Sequence, residues 1–447
     1  MSKKDKRLGP KESKKLPEQK PNKRSLRKHL LSWAVFLPTI TIVFMSSIPI
    51  IFPALIARTT SPFQADVFSP NVINPFEPGL LAVPLVIVNI IILGIGIAYY
   101  KRSKWKTQFR RIANFELSKK QALIGIVAIL AIFCVITAGT LSQKEPWEDY
   151  TDVKKRVDSW DISQFGKSFE PHFRYLLLSA SLHAFGNMRV LPLIISMALL
   201  VQTYFFTTKI TGKKFAGIVS MILLLQSDVF LEYGTSATYD NTWILLYLFS
   251  LYLIIKFWPP SPAPYFLSLF SKPLTLAFLP MTFYFIARSN LPKKSKTYSL
   301  ISYGIVSVLI AAVAAAYSTN FTGKPLDFNS SEFWQGFSAI AIQMRFDYIV
   351  VLFLLPLTVM LFFASRKGIL YSDSIMIFIL VLLLTAPLLT GFTQQTNEPY
   401  RFVSLSMFFA IGVGVLLSSK TRDSIKPSIT SQVPTNPTNN KLENQKM

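Results

Sequence analysis

The feature that most constrains this chain is a series of apolar blocks, each about as long as a lipid bilayer is thick. Of the 447 residues, 51% are hydrophobic and only 16% are charged. A helix of about 20 apolar residues spans the hydrocarbon core of a bilayer, whereas soluble domains carry about 25% charged residues. The blocks therefore predict an all-α polytopic membrane protein rather than several soluble domains.

The net charge of +24 follows the positive-inside pattern of membrane proteins. The first 29 residues hold twelve lysines or arginines against three acidic residues, and other basic residues crowd the short connections between apolar blocks. Such positions favour contact with anionic lipid headgroups. We therefore expect membrane lipid, and not nucleic acid, as the partner of these charges, in a cell membrane with the N-terminus in the cytoplasm.

Composition divides the chain into four regions. Residues 1–29 form a basic cytoplasmic arm that we expect to be disordered. Residues 30–120 contain two additional N-terminal spans, and residues 121–418 contain the main membrane core. Residues 419–447 form a polar tail, expected to be disordered and cytoplasmic. Ten spans and one broken pair of short helices predict about twelve crossings, with both termini inside.

Three segments are not simple spans. Residues 264–287 have basic residues on both flanks, so two short helices that meet at residues 271–273 satisfy the charge rule. A single span with one loop on the other side of the membrane is the alternative. The run 173–186 is too short to cross and predicts an interfacial helix. Residues 318–347 are expected to form an outer loop.

An acidic cluster lies directly after the third span, in the sequence KEPWEDYTD. Asp149 is the first candidate for a general base, with Glu148 beside it. Asp152 is a further candidate, because it gives an acid-x-x-acid spacing. The three carboxylates could also hold a divalent cation through oxygen ligands. A solvated acidic loop explains the cluster equally well.

Several motifs follow one another in order from about residue 121. They are Glu148-Asp149-Tyr150, FEPHFRYLLLSASLHAFGNMRVLPLI, TTKITGKKFAGIVSMILLL, YGTSATYDNTWILLYLFSLYL, FSKPLTLAFLP and NEPYRFVSLSMFFAIGVG. In this order they resemble the GT-C superfamily of membrane glycosyltransferases, in the branch of protein O-mannosyltransferases and lipid A aminoarabinose transferases. The order and spacing carry the resemblance, and the first two spans lie outside it.

The resemblance implies a GT-C-like transmembrane core whose extracytoplasmic loop bears short interfacial helices. It also implies transfer of a sugar from a polyprenyl-phosphate donor to a glycan, lipid or protein acceptor on the extracytoplasmic face. The physical chemistry agrees, because nucleotide sugars are cytoplasmic and an outward-facing site needs a lipid-borne donor. The departing phosphate then needs a positive charge nearby.

Four residues are candidates for binding the donor phosphate. Arg401 lies beside Tyr400 in the last outer loop, and its guanidinium offers a fixed fork of hydrogen-bond donors. Alternatively, Arg401 has a structural role at the end of a span, with its side chain extended to the membrane interface. Lys272 and His172 are further candidates. Lys272 could instead cap a helix, and His172 could instead have a structural role. The hypothesis requires Asp149 and Arg401, far apart in sequence, to face one groove.

Two other functions fit a polytopic protein. A carrier or flippase for a lipid-linked glycan would call for a basic central cavity and paired halves, and neither is visible in the sequence. A non-catalytic membrane subunit would account for the two additional spans.

Overall fold

The computed structural model describes residues 23–53, 76–101, 114–147, 149–161, 163, 172–316, 328–344, 347–393, 399–418 and 420–421. Within these residues the chain is helical, and the β pairing is confined to an isolated bridge between Ile369 and Thr421. The expected all-α fold is therefore confirmed for the described part of the chain.

The described α-helices are, in chain order, α1 (Lys23–Ile51), α2 (Ala82–Lys101), α3 (Lys119–Ala138), α4 (Tyr150–Asp158), α5 (His172–Phe185), α6 (Val190–Thr211), α7 (Lys214–Leu225), α8 (Asp228–Tyr233), α9 (Thr242–Lys256), α10 (Pro262–Ser271), α11 (Leu279–Arg288), α12 (Lys293–Ala316), α13 (Ser330–Met344), α14 (Tyr348–Arg366), α15 (Ser372–Thr393) and α16 (Val403–Leu416). Short 3-10 segments cover Gly139–Ser142, Pro273–Phe278 and Pro399–Phe402.

Six of the described helical segments are long and apolar enough to cross a membrane, namely those that contain α1, α3, α6, α14, α15 and α16. Four shorter apolar segments contain α2, α7, α9 and α11. By length and composition, the chain is an α-helical membrane protein. Helix α1 begins at Lys23, within the arm that the composition predicts to be disordered.

Helix α16 lies at the centre of the bundle, packed on α6, α7, α14 and α15. Nearly all of its residues are buried. Small residues allow this close packing, because a methyl group added at Gly414 would lie 2.5 Å from Ser220 Oγ. The Ser220 hydroxyl also donates to the carbonyl of Ala410 at 2.9 Å. Small and hydroxyl-bearing residues at helix contacts are typical of membrane bundles.

The two N-terminal helices pack on this bundle. Helix α1 contacts α13, α14 and α15, and its residues Val35, Val43 and Ile50 join the main hydrophobic core. Ser32 and Ser365 share a hydrogen bond of 2.9 Å between α1 and the end of α14. Helix α2 lies mainly against α14.

The break expected near residues 271–273 is present. Helix α10 ends at Ser271, Lys272 adopts an extended backbone, and Pro273 begins a 3-10 segment that leads into α11. Proline suits this position because it lacks the N–H that a first turn leaves unpaired.

One expected loop contains a helix. Residues 318–347 were expected to form a loop, but α13 occupies half of this segment and packs along α15 and α1. Asn329 starts the helix, because its side-chain oxygen accepts hydrogen bonds from the N–H and hydroxyl of Ser331 at 3.0 and 2.7 Å. Close contact of Gly336 with Pro387 then holds α13 against α15. The short helix expected over 173–186 is present as α5.

The helix ends form two opposite faces. The basic face comprises residues 116–117, 209–214, 288–296, 366–373, 418 and 420–421. Contacts join its parts: Lys214 N–H to Glu116 (2.9 Å), Lys420 Nζ to the Lys209 carbonyl (2.7 Å), Leu370 N–H to the Lys420 carbonyl (3.2 Å) and Arg288 Nε to Asp373 (2.6 Å).

The other end, here called the site face, comprises residues 139–147, 149–161, 227–241, 271–273 and 399–402. Helices α3, α6, α7, α14, α15 and α16 each connect the two faces, and successive helices of this set alternate in direction. The predicted site residues Asp149, Asp152, Lys272, Tyr400 and Arg401 therefore lie at one end of the bundle and the basic connections at the other.

Candidate active site

Four aromatic side chains meet on the site face. The rings of Tyr239 and Tyr400 lie parallel, with 4.2 Å between centroids and 10° between planes. Trp147 stacks on Tyr233 at 5.1 Å and meets Tyr239 edge-on at 5.6 Å. These residues come from the loop after α3, from α8, from the turn before α9 and from the 3-10 segment before α16. The cluster therefore joins segments that are far apart in sequence.

Asp149 is bound to this cluster. It precedes α4, but its carboxylate does not cap that helix. Instead the hydroxyl of Tyr239 donates to Asp149 Oδ2 at 2.8 Å. Apart from this contact, Asp149 is exposed.

The other acidic candidates differ from Asp149. Glu148 lies outside the described residues. Asp152 points to solvent, with 74% of its side chain exposed, and lies 3.7 Å from Lys155 in the next turn of α4. Exposed pairs of this kind contribute little to stability, and no described contact brings Asp152 to the aromatic cluster.

Two cations contact Tyr400. Lys272 Nζ lies 3.5 Å from the centroid of the Tyr400 ring and 5.4 Å from that of Trp243. Since Tyr239 already covers one face of Tyr400, Lys272 must occupy the opposite face. Arg401 Nε donates to the Tyr400 hydroxyl at 3.3 Å. The predicted phosphate binders Lys272, Tyr400 and Arg401 are therefore neighbours.

A third cation lies near this pair. Arg174 is close enough to Lys272 for their charges to interact. Its Nε also lies 2.8 Å from Asp240, whose side chain is buried. Because Asp240 balances the charge of Arg174, Lys272 and Arg401 are the cations of this cluster that could meet an anion.

The position of Glu145 in KEPWEDYTD suggests that it belongs to the exposed acidic cluster, but the structure shows that it does not. It is buried, with 4% of the residue exposed. Its carboxylate accepts hydrogen bonds from the N–H groups of Ala237 and Thr238 and from the Thr238 hydroxyl. Arg189 Nε lies 3.6 Å from the same carboxylate. Glu145 therefore fixes the turn that precedes Tyr239.

Arg189 supports this turn from the other side. Its guanidinium donates to the carbonyl and hydroxyl of Thr235, both at 3.0 Å, and to the carbonyl of Gln143 at 2.6 Å. A fork of donors that satisfies several backbone oxygens is typical of buried arginine. Arg189 thus ties the loop after α3 to the turn before α9.

His172 is the first residue of α5 and is buried, with 2% of it exposed. It lies two residues before Arg174, whose guanidinium donates to the carbonyl of Ala237 at 2.8 Å. His172 therefore sits at the edge of the segment that supports the site.

A shallow cleft opens beside Arg401, with about 300 Å³ of empty space including its open mouth. Its walls come from the 3-10 segment Pro273–Phe278, from α15 and from the start of α16. Most of the lining is apolar, with the Arg401 guanidinium at its edge. The other lining residues are Leu274, Phe278, Leu382, Thr385, Ala386, Phe402 and Ser404.

No group of three or more histidine, cysteine or acidic side chains is placed to hold a metal ion in the described part of the chain. Of the three carboxylates expected to bind a cation, only Asp149 and Asp152 are described.

Sequence reasoning missed three contributors: Tyr239, the buried role of Glu145 and the pair of Arg174 with Asp240. The signal for Tyr239 was its position beside Asp240 in the TYDN sequence, at the start of an apolar helix. No family model matches the chain, and neither a curated protein nor a solved structure is significantly similar to it. Any function must therefore be argued from the chemistry of the site.

Proposed function

We propose that this protein is a membrane glycosyltransferase that moves a sugar from a polyprenyl-phosphate donor to a glycan, lipid or protein acceptor on the extracytoplasmic face. One observation carries the proposal. Asp149 and Arg401, which are 252 positions apart, are connected through the stacked rings of Tyr239 and Tyr400. The proposed base and the proposed phosphate-binding cation thus contact one aromatic cluster, although Asp149 is not among the residues that line the cleft beside Arg401.

In the proposed reaction, a hydroxyl or amide group of the acceptor attacks the anomeric carbon of the donor sugar. Asp149 accepts the proton of that group. The bond between the anomeric carbon and the phosphate oxygen breaks, and polyprenyl phosphate leaves with the bonding electron pair. Arg401 and Lys272 stabilise its developing negative charge, while the Tyr400 ring holds Lys272 in place.

The proposal includes a topology with a GT-C-like core. Twelve helices would cross the membrane: α1, α2, α3, α6, α7, α9, α10, α11, α12, α14, α15 and α16. The basic face would be cytoplasmic by the positive-inside rule, which puts both termini inside and the site face outside. Helices α4 and α5, in the segment after α3, would lie at the outer interface.

The proposal is tested in membrane vesicles from cells that express the protein, because these membranes supply the native acceptors. The vesicles are loaded with radiolabelled polyprenyl-phosphate sugars. The wild type should release polyprenyl phosphate and transfer the sugar. Asp149→Asn keeps the size of the side chain and removes the base, so transfer should fall by about 100-fold or more. Asp161→Asn is the matched control, because Asp161 is an exposed acid of the same outer segment whose side-chain oxygen accepts one backbone N–H at 2.9 Å.

Three results would contradict the proposal or part of it. If the wild type consumes none of the supplied donors, the transferase assignment is wrong. If intact donor instead appears in the opposite leaflet, a carrier or flippase is the correct class. Full activity of Asp149→Asn at matched protein levels would remove Asp149 as the base.

A further inference from the structure

We infer that Tyr239 is a positioning residue that holds the proposed base and the proposed phosphate binder in one fixed relation. The inference rests on the proposed function, because both partners of Tyr239 belong to that site. Its hydroxyl donates to Asp149 at 2.8 Å, and its ring stacks on Tyr400 at 4.2 Å. A single side chain therefore touches both halves of the site.

The backbone before Tyr239 is held by buried charge. The Glu145 carboxylate binds the N–H groups of residues 237–238, and the Arg174 guanidinium binds their carbonyl groups. The N–H of Tyr239 itself donates to Ser236 Oγ at 2.9 Å. Hydrogen bonds to charged groups are stronger than those between neutral groups. This turn is consequently a firm support for Tyr239 rather than a free loop.

The hydroxyl of Tyr239 has a specific partner. If the side chain at position 239 only filled space, phenylalanine would serve equally well, because Trp147 and Tyr400 contact the ring of Tyr239. The hydroxyl instead reaches an exposed carboxylate that does not cap its own helix. Without this donor, the Asp149 side chain would be free to rotate into solvent. The hydroxyl thus sets the direction of the base.

The ring of Tyr239 acts on the other half of the site. It covers one face of Tyr400, whose other face carries Lys272. Parallel stacking fixes the plane of the Tyr400 ring. That plane determines the position of Lys272 on the ring and the position of the Tyr400 hydroxyl, which accepts a hydrogen bond from Arg401. Loss of the ring should therefore disturb phosphate binding, whereas loss of the hydroxyl alone should not.

Two variants separate these roles. Tyr239→Phe keeps the ring and removes the hydroxyl, and Tyr239→Leu removes both. Tyr298→Phe is the matched control, because Tyr298 is a half-exposed tyrosine stacked on Trp258 near the basic face. The measurements are kcat and KM for sugar transfer, and the thermal shift caused by sugar-free polyprenyl phosphate, which needs no turnover.

We expect Tyr239→Phe to lower kcat by about tenfold, the effect of one lost hydrogen bond to a charged group. Its KM for the donor, its melting temperature and its thermal shift should match the wild type. Tyr239→Leu should lower kcat and also weaken polyprenyl phosphate binding by about tenfold. A purely structural tyrosine would not separate kcat from KM in this way.

Wild-type kcat in Tyr239→Phe, or wild-type phosphate binding in Tyr239→Leu, would overturn the inference while the transferase assignment stands. If the wild type transfers no sugar but Tyr239→Leu binds polyprenyl phosphate more weakly, the transferase assignment fails and the support of Tyr400 by Tyr239 survives. If the wild type neither transfers sugar nor binds polyprenyl phosphate, both fail.

Discussion

Tyr400 contacts two cations and two aromatic rings with a single buried side chain. The face of an aromatic ring attracts a cation through its quadrupole without neutralising its charge. Lys272 can therefore be held in place on Tyr400 and still present its charge to an anion. A carboxylate in the same position would hold the lysine more firmly but would compete with a phosphate.

The first prediction concerns the charge of Lys272. Lys272→Met keeps an unbranched apolar chain over Tyr400 and removes the ammonium group, so affinity for polyprenyl phosphate should fall by about tenfold. Titration of the purified variant with polyprenyl phosphate measures this effect. Lys256→Met is the control, because Lys256 lies over another tyrosine ring, that of Tyr252, at 5.5 Å. Equal affinity in both variants would exclude a role for Lys272 in binding.

A second acidic group lies on the site face, on and around helix α8. Asp347 is buried, accepts a hydrogen bond from Ser406 at 2.7 Å and is bound by Ser227. Asp228 begins the short helix α8, beyond the end of the apolar helix α7. Partial burial raises the pKa of Asp228, and repulsion from Asp347 raises it further. Burial, and then repulsion from Asp228, raise the pKa of Glu232.

The second prediction follows from the sign of these shifts. Because its pKa is raised in the folded state, Asp228 binds its proton more tightly there than in the unfolded chain. Its contribution to stability is thus present at low pH and is lost as the pH rises from about 4. Asp228→Asn should be more stable than the wild type at neutral pH and similar to it at low pH. Melting temperatures across this range test the prediction, and an unchanged pH profile would contradict it. Asp161→Asn is the control.

At the scale of elements, the closest helix approaches depend on residues without large side chains. Helices α6 and α7 form a hairpin in which Gly217 faces Tyr204 and Thr208. A methyl group at Gly217 would lie 2.6 Å from the Tyr204 ring and 2.9 Å from its carbonyl oxygen. Backbone atoms cannot rotate away, so a larger residue must push the helices apart.

The third prediction is that Gly217→Ala destabilises the fold by about 1–3 kcal/mol, the usual cost of overpacking. Gly304→Ala is the matched control, because Gly304 lies in helix α12 with no atom within 4 Å of an added methyl group. That variant should be neutral or slightly stabilising. Thermal unfolding of the two purified variants in detergent compares them directly. Equal melting temperatures would contradict the close packing of α6 and α7.

Element type was predictable from the sequence wherever one strong signal acted. Apolar blocks predicted the helices, and the Lys272–Pro273 dipeptide between short apolar runs predicted the break. Helix α13 was missed because its sequence alternates polar and apolar residues between polar flanks, as a loop on a membrane surface also does. Its helical form depends on the cap at Asn329 and on contact with Pro387, which is distant in sequence.

At the scale of the whole molecule, the predicted site residues and the basic connections lie at opposite ends of the bundle. Three lysines illustrate this separation. Lys272 lies on the site face, whereas Lys214 and Lys420 bind carbonyl oxygens on the basic face, at 3.1 and 2.7 Å. This arrangement is what the positive-inside rule requires of a protein whose site is exposed outside.

The fourth prediction concerns this separation. In a Cys134→Ala background, a cysteine introduced by Asp161→Cys should react with a membrane-impermeant maleimide in intact cells. One introduced by Lys367→Cys should react only after the cells are opened. Both positions lie at helix-flanking sites on opposite faces. Labelling of both variants from the same side would exclude the proposed topology.

The site was only partly predictable. The choice of Asp149 and Arg401 depended on their order along the chain, and the structure places both on the aromatic cluster. Glu145 could not be distinguished from Asp149 by sequence, because both are acidic residues of one short segment. They differ in surroundings: Glu145 faces N–H groups of a turn about 90 positions away, whereas Asp149 faces one hydroxyl and solvent. Pairings over such separations are set by folding and leave no local pattern.

The central position of α16 has a consequence for biosynthesis. Every helix that α16 packs on precedes it in the chain, so each of them leaves the ribosome and enters the bilayer earlier. Until α16 arrives, the contacts that these helices make with it are absent, and Arg401 and Tyr400 enter with the same segment. Asp149 and Lys272 precede them in the chain. The proposed site is therefore completed together with the last part of the core, and an incompletely inserted chain would hold the proposed base and Lys272 but lack Arg401.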